Sequence, residues 1–159
     1  MQTFLPYADF HKSVQALDYR RLGKQRVEAM QLVNSTYKLA RGVPVKGWAN
    51  HPARNMWDGY MDALKLYHNV CIQEWISRGY NNTMQLYDLQ QDVVMPPWIG
   101  DERVHRSHRS NLLRKDPVFY SQFNWSEIIW APRVVFLILK PALYVGVWIS
   151  LRRFARTLR

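Results

Sequence analysis

Cysteine and acidic residues are both scarce in this chain, and each shortage narrows what it can do. Cys71 is the only cysteine, so no internal disulfide and no cysteine-rich zinc site can form. It falls on an apolar stripe of helical spacing, where a buried, inert thiol is the expected state. The seven glycines never cluster, which excludes a Gly-rich phosphate loop, and neither a Gly-x-Ser-x-Gly elbow nor a tandem carboxylate motif occurs. Twelve acids face 22 Lys and Arg, giving a formal charge of +10. The opening residues have no basic stretch followed by a long apolar run, so no secretory signal is expected.

What is abundant is aromatic. Seven Trp, nine Tyr and six Phe within a chain that is 48% hydrophobic are enough for one compact domain with a real core. The positive field calls for a polyanionic partner, either nucleic acid or an anionic membrane surface.

Residues 1–5 are short, apolar and closed by Pro6, which suits an extended arm or edge strand. Asp9 is a helix cap, and residues 15–39 are rich in helix formers, with Gly23 a point at which two helices could divide. On that segment Arg20 and Lys24 share a face, as do Arg21 and Gln25, with Glu28 three residues on. Spacing alone fits a solvated charged face as well as a phosphate-binding one. Residues 41–47 break the helix, and Gly47-Trp48-Ala49-Asn50-His51-Pro52 reads as a loop. Met56, Tyr60, Leu64, Tyr67, Cys71 and Trp75 then form one apolar stripe ending at Arg78-Gly79, the expected central packing helix.

The densest basic cluster spans residues 103–115 and contains His105, Arg106, His108, Arg109, Arg114 and Lys115 with no acid among them. Guanidinium and ammonium donors at this density suit phosphate. No Cys or carboxylate sits at ligand spacing beside the two histidines, so no metal is expected there. Asp116-Pro117 opens a further short aromatic helix. From residue 128 the composition becomes hydrophobic and basic, with six of the 22 Lys and Arg lying after Pro132. Residues 134–151 approach the length of a membrane span, but Lys140-Pro141 interrupts them, so an interfacial helix or a packed hairpin is equally consistent.

Several segments together resemble the pyrimidine-dimer DNA glycosylases of the phage endonuclease V type and their bacterial relatives. They are the opening Met-Gln-Thr-Phe-Leu-Pro-Tyr, the run Leu17 to Ala29, the Gly-Trp-Ala-Asn-His-Pro loop, the Trp75 to Tyr80 helix end, and His105 to Ser110 through Tyr120. The resemblance spans roughly residues 1–125. It implies an all-α domain in which the N-terminal α-amine attacks C1′ of the damaged nucleotide, forms a Schiff base and then eliminates the 3′ phosphate. An α-amine has an ordinary pKa near 8 and keeps a useful neutral, nucleophilic fraction at physiological pH. A carboxylate assists ring opening and proton transfer, while arginines hold the backbone as a base is flipped.

Carried onto this chain, Tyr19 and Arg20 match the family's Tyr-Arg pair, and Arg26 or Lys24 its next phosphate-binding arginine. The position after that pair, where the resemblance places a glutamate, holds Arg21. The carboxylate then comes from Glu28 or Asp18, with Glu28 the candidate. The amine is that of Met1, or of Gln2 once Met1 is removed. The expectation is therefore a compact, monomeric, cytoplasmic helical bundle at residues 1–127 with a C-terminal extension at 128–159. Its partner is double-stranded DNA, it uses no cofactor or metal, and a membrane surface could contact residues 134–159. The alternatives are a non-catalytic nucleic-acid-binding domain and a membrane-associated basic domain.

Overall fold

The computed structural model describes residues 2–47, 49–89 and 92–127; Met1, Trp48, Gln90, Gln91 and the extension from residue 128 lie outside the described residues. Two aspartates set the first two helices. Asp9 accepts from the Lys12 amide at 2.7 Å and opens α1 (Phe10–Gln15). Asp18 accepts from the Arg20 and Arg21 amides at 3.0 and 3.1 Å and opens α2 (Tyr19–Ala40). The chain therefore bends at residues 16–18 and not at Gly23, which lies inside α2. Glycine in a helix interior costs about 1 kcal/mol relative to alanine. It is used here because the Trp75 ring crosses close by, 3.1 Å from where a Cβ would stand.

The apolar stripe beginning at Met56 is also divided. His51 Nδ1 accepts from the Ala53 amide and caps α3 (Pro52–Asn55), after which a turn carrying Gly59 at φ +82° leads into α4 (Met61–Ser77). The turn delivers Trp57 into the core, where it is fully buried, stacks on Tyr67 at 6.1 Å and meets Phe10 and Trp98 edge-on. Truncating such a side chain costs about 3–5 kcal/mol. Helix α4 is central as expected, packing against both α1 and α2. Arg78 at its end donates to the carbonyls of Val14, Gln15 and Leu17 at 2.7–3.1 Å, satisfying the exposed end of α1.

Asp101 caps α5 (Glu102–Lys115), and Asp116 caps α6 (Pro117–Tyr120), which runs into a 3-10 turn (Ser121–Phe123) closed by left-handed Asn124. All regular structure among the described residues is helical, in agreement with the all-α expectation. No described helix is long and apolar enough to cross a membrane.

Candidate functional site

The first residues form an extended arm whose backbone is held mostly by side chains. Phe4 N–H donates to Gln25 Oε1 at 2.9 Å, and the Phe4 carbonyl accepts from the Tyr67 hydroxyl at 3.0 Å. Leu5 N–H donates to His108 Nδ1 at 2.7 Å, the Leu5 carbonyl lies 2.8 Å from His105 Nδ1, and the Pro6 carbonyl accepts from Arg109 at 2.8 Å. Ser13 bonds both the amide and the carbonyl of Tyr7, and Trp57 donates to the Thr3 hydroxyl at 3.2 Å. Buried backbone groups must be paired. Here helices α1, α2, α4 and α5 all contribute partners, so the arm is fixed in register.

The arm ends at an open groove of about 950 Å³. One face of α2, from Tyr19 to Gln31, lines it, together with Gln2, Phe4, Trp75 and Lys115. Arg20 and Lys24 are exposed there. The Arg20 guanidinium bonds the Tyr19 hydroxyl at 2.9 Å, and Lys115 reaches in from the end of α5 with its ammonium 5.8 Å from the Phe4 ring. Arg26 lies flat on Trp75 at 4.0 Å and donates to Asn82 at 3.1 Å. Half-buried Trp75, expected in the core stripe, is therefore also a wall of the groove.

At the arm's end of the groove stands Glu28. Its Oε2 lies 3.4 Å from the Gln2 backbone nitrogen and accepts from Gln25 Nε2 at 3.1 Å. The two candidate groups, the chain start and Glu28, are thus brought together from 26 residues apart in sequence. His51 was not foreseen as a neighbour of this pair. Burial lowers its pKa, while the Glu28 carboxylate pulls in the opposite direction.

Asp18, the alternative carboxylate, is occupied. It is buried, caps α2, and accepts from the Tyr120 hydroxyl at 2.6 Å and from Arg21 at 3.0 Å. Burial opposes its charge, but the Tyr120 hydrogen bond and the bonds from Arg21 outweigh it and hold the carboxyl below its usual range. Arg21 is equally committed: it bridges Asp18, Asp116 and the Lys115 carbonyl, tying the start of α2 to the end of α5.

The second basic cluster divides on burial. His105, His108 and Arg109, expected to contact DNA, are buried and hold the arm. Arg109 also binds Glu102 and Glu127. Burial, aided by neighbouring His105, pushes His108 down to about 3, so it stays neutral with Nδ1 as acceptor. Arg106 and Arg114 are exposed on α5 but do not line the groove, Arg106 lying 3.8 Å from Glu127 and Arg114 bonding Asn111. Of the six, Lys115 alone joins the groove. A sequence cannot distinguish these fates, since Arg and His serve equally as surface cations and as buried donors to carbonyls.

A helical domain with a pinned N-terminal arm opening on a cation-lined groove suits a protein directed at nucleic acid. Residues 1–88 match the family model described as pyrimidine dimer DNA glycosylase, and the chain belongs to that family. Its function is accordingly that of a DNA-repair glycosylase, with DNA as substrate. The matched residues contain the arm, α2 and Glu28; α5 and Lys115 lie beyond them. Searches of curated proteins and of solved structures return no match.

Proposed function

We propose that the chain is a pyrimidine-dimer glycosylase with associated AP-lyase activity, working through its N-terminal amine and Glu28. The observation that carries this reading is the 3.4 Å separation of the Gln2 nitrogen from Glu28 Oε2 at the edge of a basic groove. If Met1 is removed, that nitrogen is the α-amine itself; if Met1 is retained, the α-amine is that of Met1, one residue earlier in the chain.

In the first step the neutral amine bonds to C1′ as the glycosidic C1′–N bond breaks, and the base leaves with the electron pair. Opening of the sugar places a proton on O4′ and leaves an iminium at C1′. Loss of a C2′ proton then expels the 3′ phosphate and breaks the C3′–O bond. Glu28 is the carboxylate placed to take the proton that the amine loses on bonding to C1′, to pass it to O4′, and then to accept the C2′ proton. Arg20, Lys24, Arg26 and Lys115 hold the backbone phosphates, with Tyr19 presenting an aromatic face beside Arg20. The remaining surface cations, Arg106 and Arg114, contribute to the long-range field.

Incubation with a duplex carrying one cyclobutane pyrimidine dimer tests this. The expected result is cleavage at the dimer, leaving an unsaturated aldehyde on the 3′ end and a phosphate on the 5′ end. Salt-sensitive binding with no strand cleavage would instead support the non-catalytic reading, which the Arg21 substitution favours.

A further inference from the structure

We propose that Gln25 is a positioning residue, whose amide holds the Glu28 carboxylate and the N-terminal arm as one unit. This rests on the catalytic reading given above for Glu28. Gln25 is 1% exposed and lies three residues before Glu28 on α2, so the two side chains share a helix face. Its Oε1 accepts from the Phe4 amide at 2.9 Å and from the Tyr67 hydroxyl at 2.7 Å, the single hydroxyl proton being shared with the Phe4 carbonyl at 3.0 Å. Its Nε2 donates to the Gln2 carbonyl at 2.8 Å and to Glu28 Oε2 at 3.1 Å.

These partners fix the amide's orientation. The Phe4 amide can only donate and the Gln2 carbonyl can only accept, so exchanging oxygen and nitrogen would break at least two bonds. Tyr67 is fully buried, and burial pushes its pKa well above that of a free phenol, so it remains a donor across the working pH range. A primary amide has four hydrogen-bonding positions, and all four are filled here. Two hold the arm at residues 2 and 4, one anchors to α4, and one orients the carboxylate. The Gln2 nitrogen and Gln25 Nε2 both approach the same carboxylate oxygen, Oε2.

The geometry has a kinetic consequence. Removing the amide frees Glu28 to rotate away from the amine without touching any phosphate-binding cation, so chemistry should fall while DNA affinity holds. The test uses the full chain on a duplex with one abasic site, measuring the single-turnover rate of borohydride-trapped adduct and the Kd separately. Gln25→Met keeps the side chain's length but loses the amide. It is expected to slow trapping by about ten- to a hundredfold, the range for losing a hydrogen bond to a charged group, with Kd unchanged within about twofold.

The decisive comparison is the Glu28→Gln background. There Gln25→Met should add little further loss, because the carboxylate it positions is gone; a merely structural role would lower the rate equally in both backgrounds. Should Gln25→Met not fold, Gln25→Leu takes its place, since it also fills the buried site with an apolar side chain that has no amide to donate to Glu28, and the same loss is expected. Full trapping by either variant would overturn the proposal while leaving the N-terminal amine chemistry intact. No trapping by the unaltered chain would bring down that chemistry and, with it, the role given to Gln25.

Discussion

At the scale of single residues, the site depends on which polar groups are already committed. Glu28 is approached by a backbone N–H and an amide, whereas Asp18 is held by a cap, a hydroxyl and an arginine. Glu28→Gln is therefore expected to lower turnover by about 10²–10⁴, the usual range for a proton-transferring side chain, with DNA affinity retained. Single-turnover assays alongside binding isotherms check this, and an equal loss of affinity would argue against a chemical role. Glu28 became the candidate in the sequence because the family resemblance leaves Arg21 at the position of the family's glutamate. Gln25 was not legible, since a glutamine among charged neighbours reads as surface. Only the fold shows that the arm passes over it.

The two capping aspartates give a matched test at the same scale. Asp9 caps α1 from an exposed position, and Asp9→Ala should cost about 1 kcal/mol. Asp18 combines the same capping role with buried bonds to Tyr120 and Arg21, so Asp18→Ala should cost about 2–4 kcal/mol, because it also leaves those partners unpaired. Chemical denaturation of both variants measures the difference.

At the scale of elements, α2 is organised around a close approach. Alanine normally stabilises a helix relative to glycine by about 1 kcal/mol, but a Cβ at Gly23 would meet the Trp75 ring at 3.1 Å. That ring is held by its own hydrogen bond to the Asn81 carbonyl, by Arg26 on it and by Tyr80 at 4.2 Å. Gly23→Ala should therefore lower stability by about 1 kcal/mol instead of raising it, as overpacking does, and a thermal melt gives the sign. Periodicity located both long helices, and it correctly made α4 the central packing element. It misplaced their starts, because the break before α2 is set by Asp18 as a cap and the break before α4 by a turn at Gly59. Neither interrupts the apolar spacing on which periodicity relies.

At the scale of the whole molecule, the field and the buried histidines govern response to salt and pH. Arg20, Lys24 and Lys115 are exposed on the groove, so replacing any one with alanine should weaken binding to all duplexes alike. Each such replacement should reduce the slope of log K against log salt by about one, as one phosphate fewer is neutralised. Buried His108 titrates near 3 in the folded chain against about 6.5 when unfolded. Between those values the unfolded state binds the extra proton, so stability falls as pH drops, by up to about 1.4 kcal/mol per unit. His51 and His68, both lowered by burial, act in the same direction. His108→Gln should flatten this acid slope in melts taken from pH 7 to pH 4.

Net charge alone pointed to a polyanion and the composition to a compact domain, while the all-α class came from the family resemblance. The arrangement of cations was not legible in the same way. Residues 103–115 look like the strongest phosphate site in the sequence, yet His105, His108 and Arg109 turn inward to the carbonyls and amide of the arm. That choice depends on where the arm passes, and the arm lies 100 or more residues away in sequence.

The central claim is that the pinned chain start supplies the nucleophile. Borohydride trapping on an abasic duplex, followed by peptide mapping of the adduct by mass spectrometry, tests it most directly. One covalent adduct is predicted, on the α-amine of Met1 or of Gln2 if Met1 has been removed. An adduct on Lys24 or Lys115, or none at all, would contradict it.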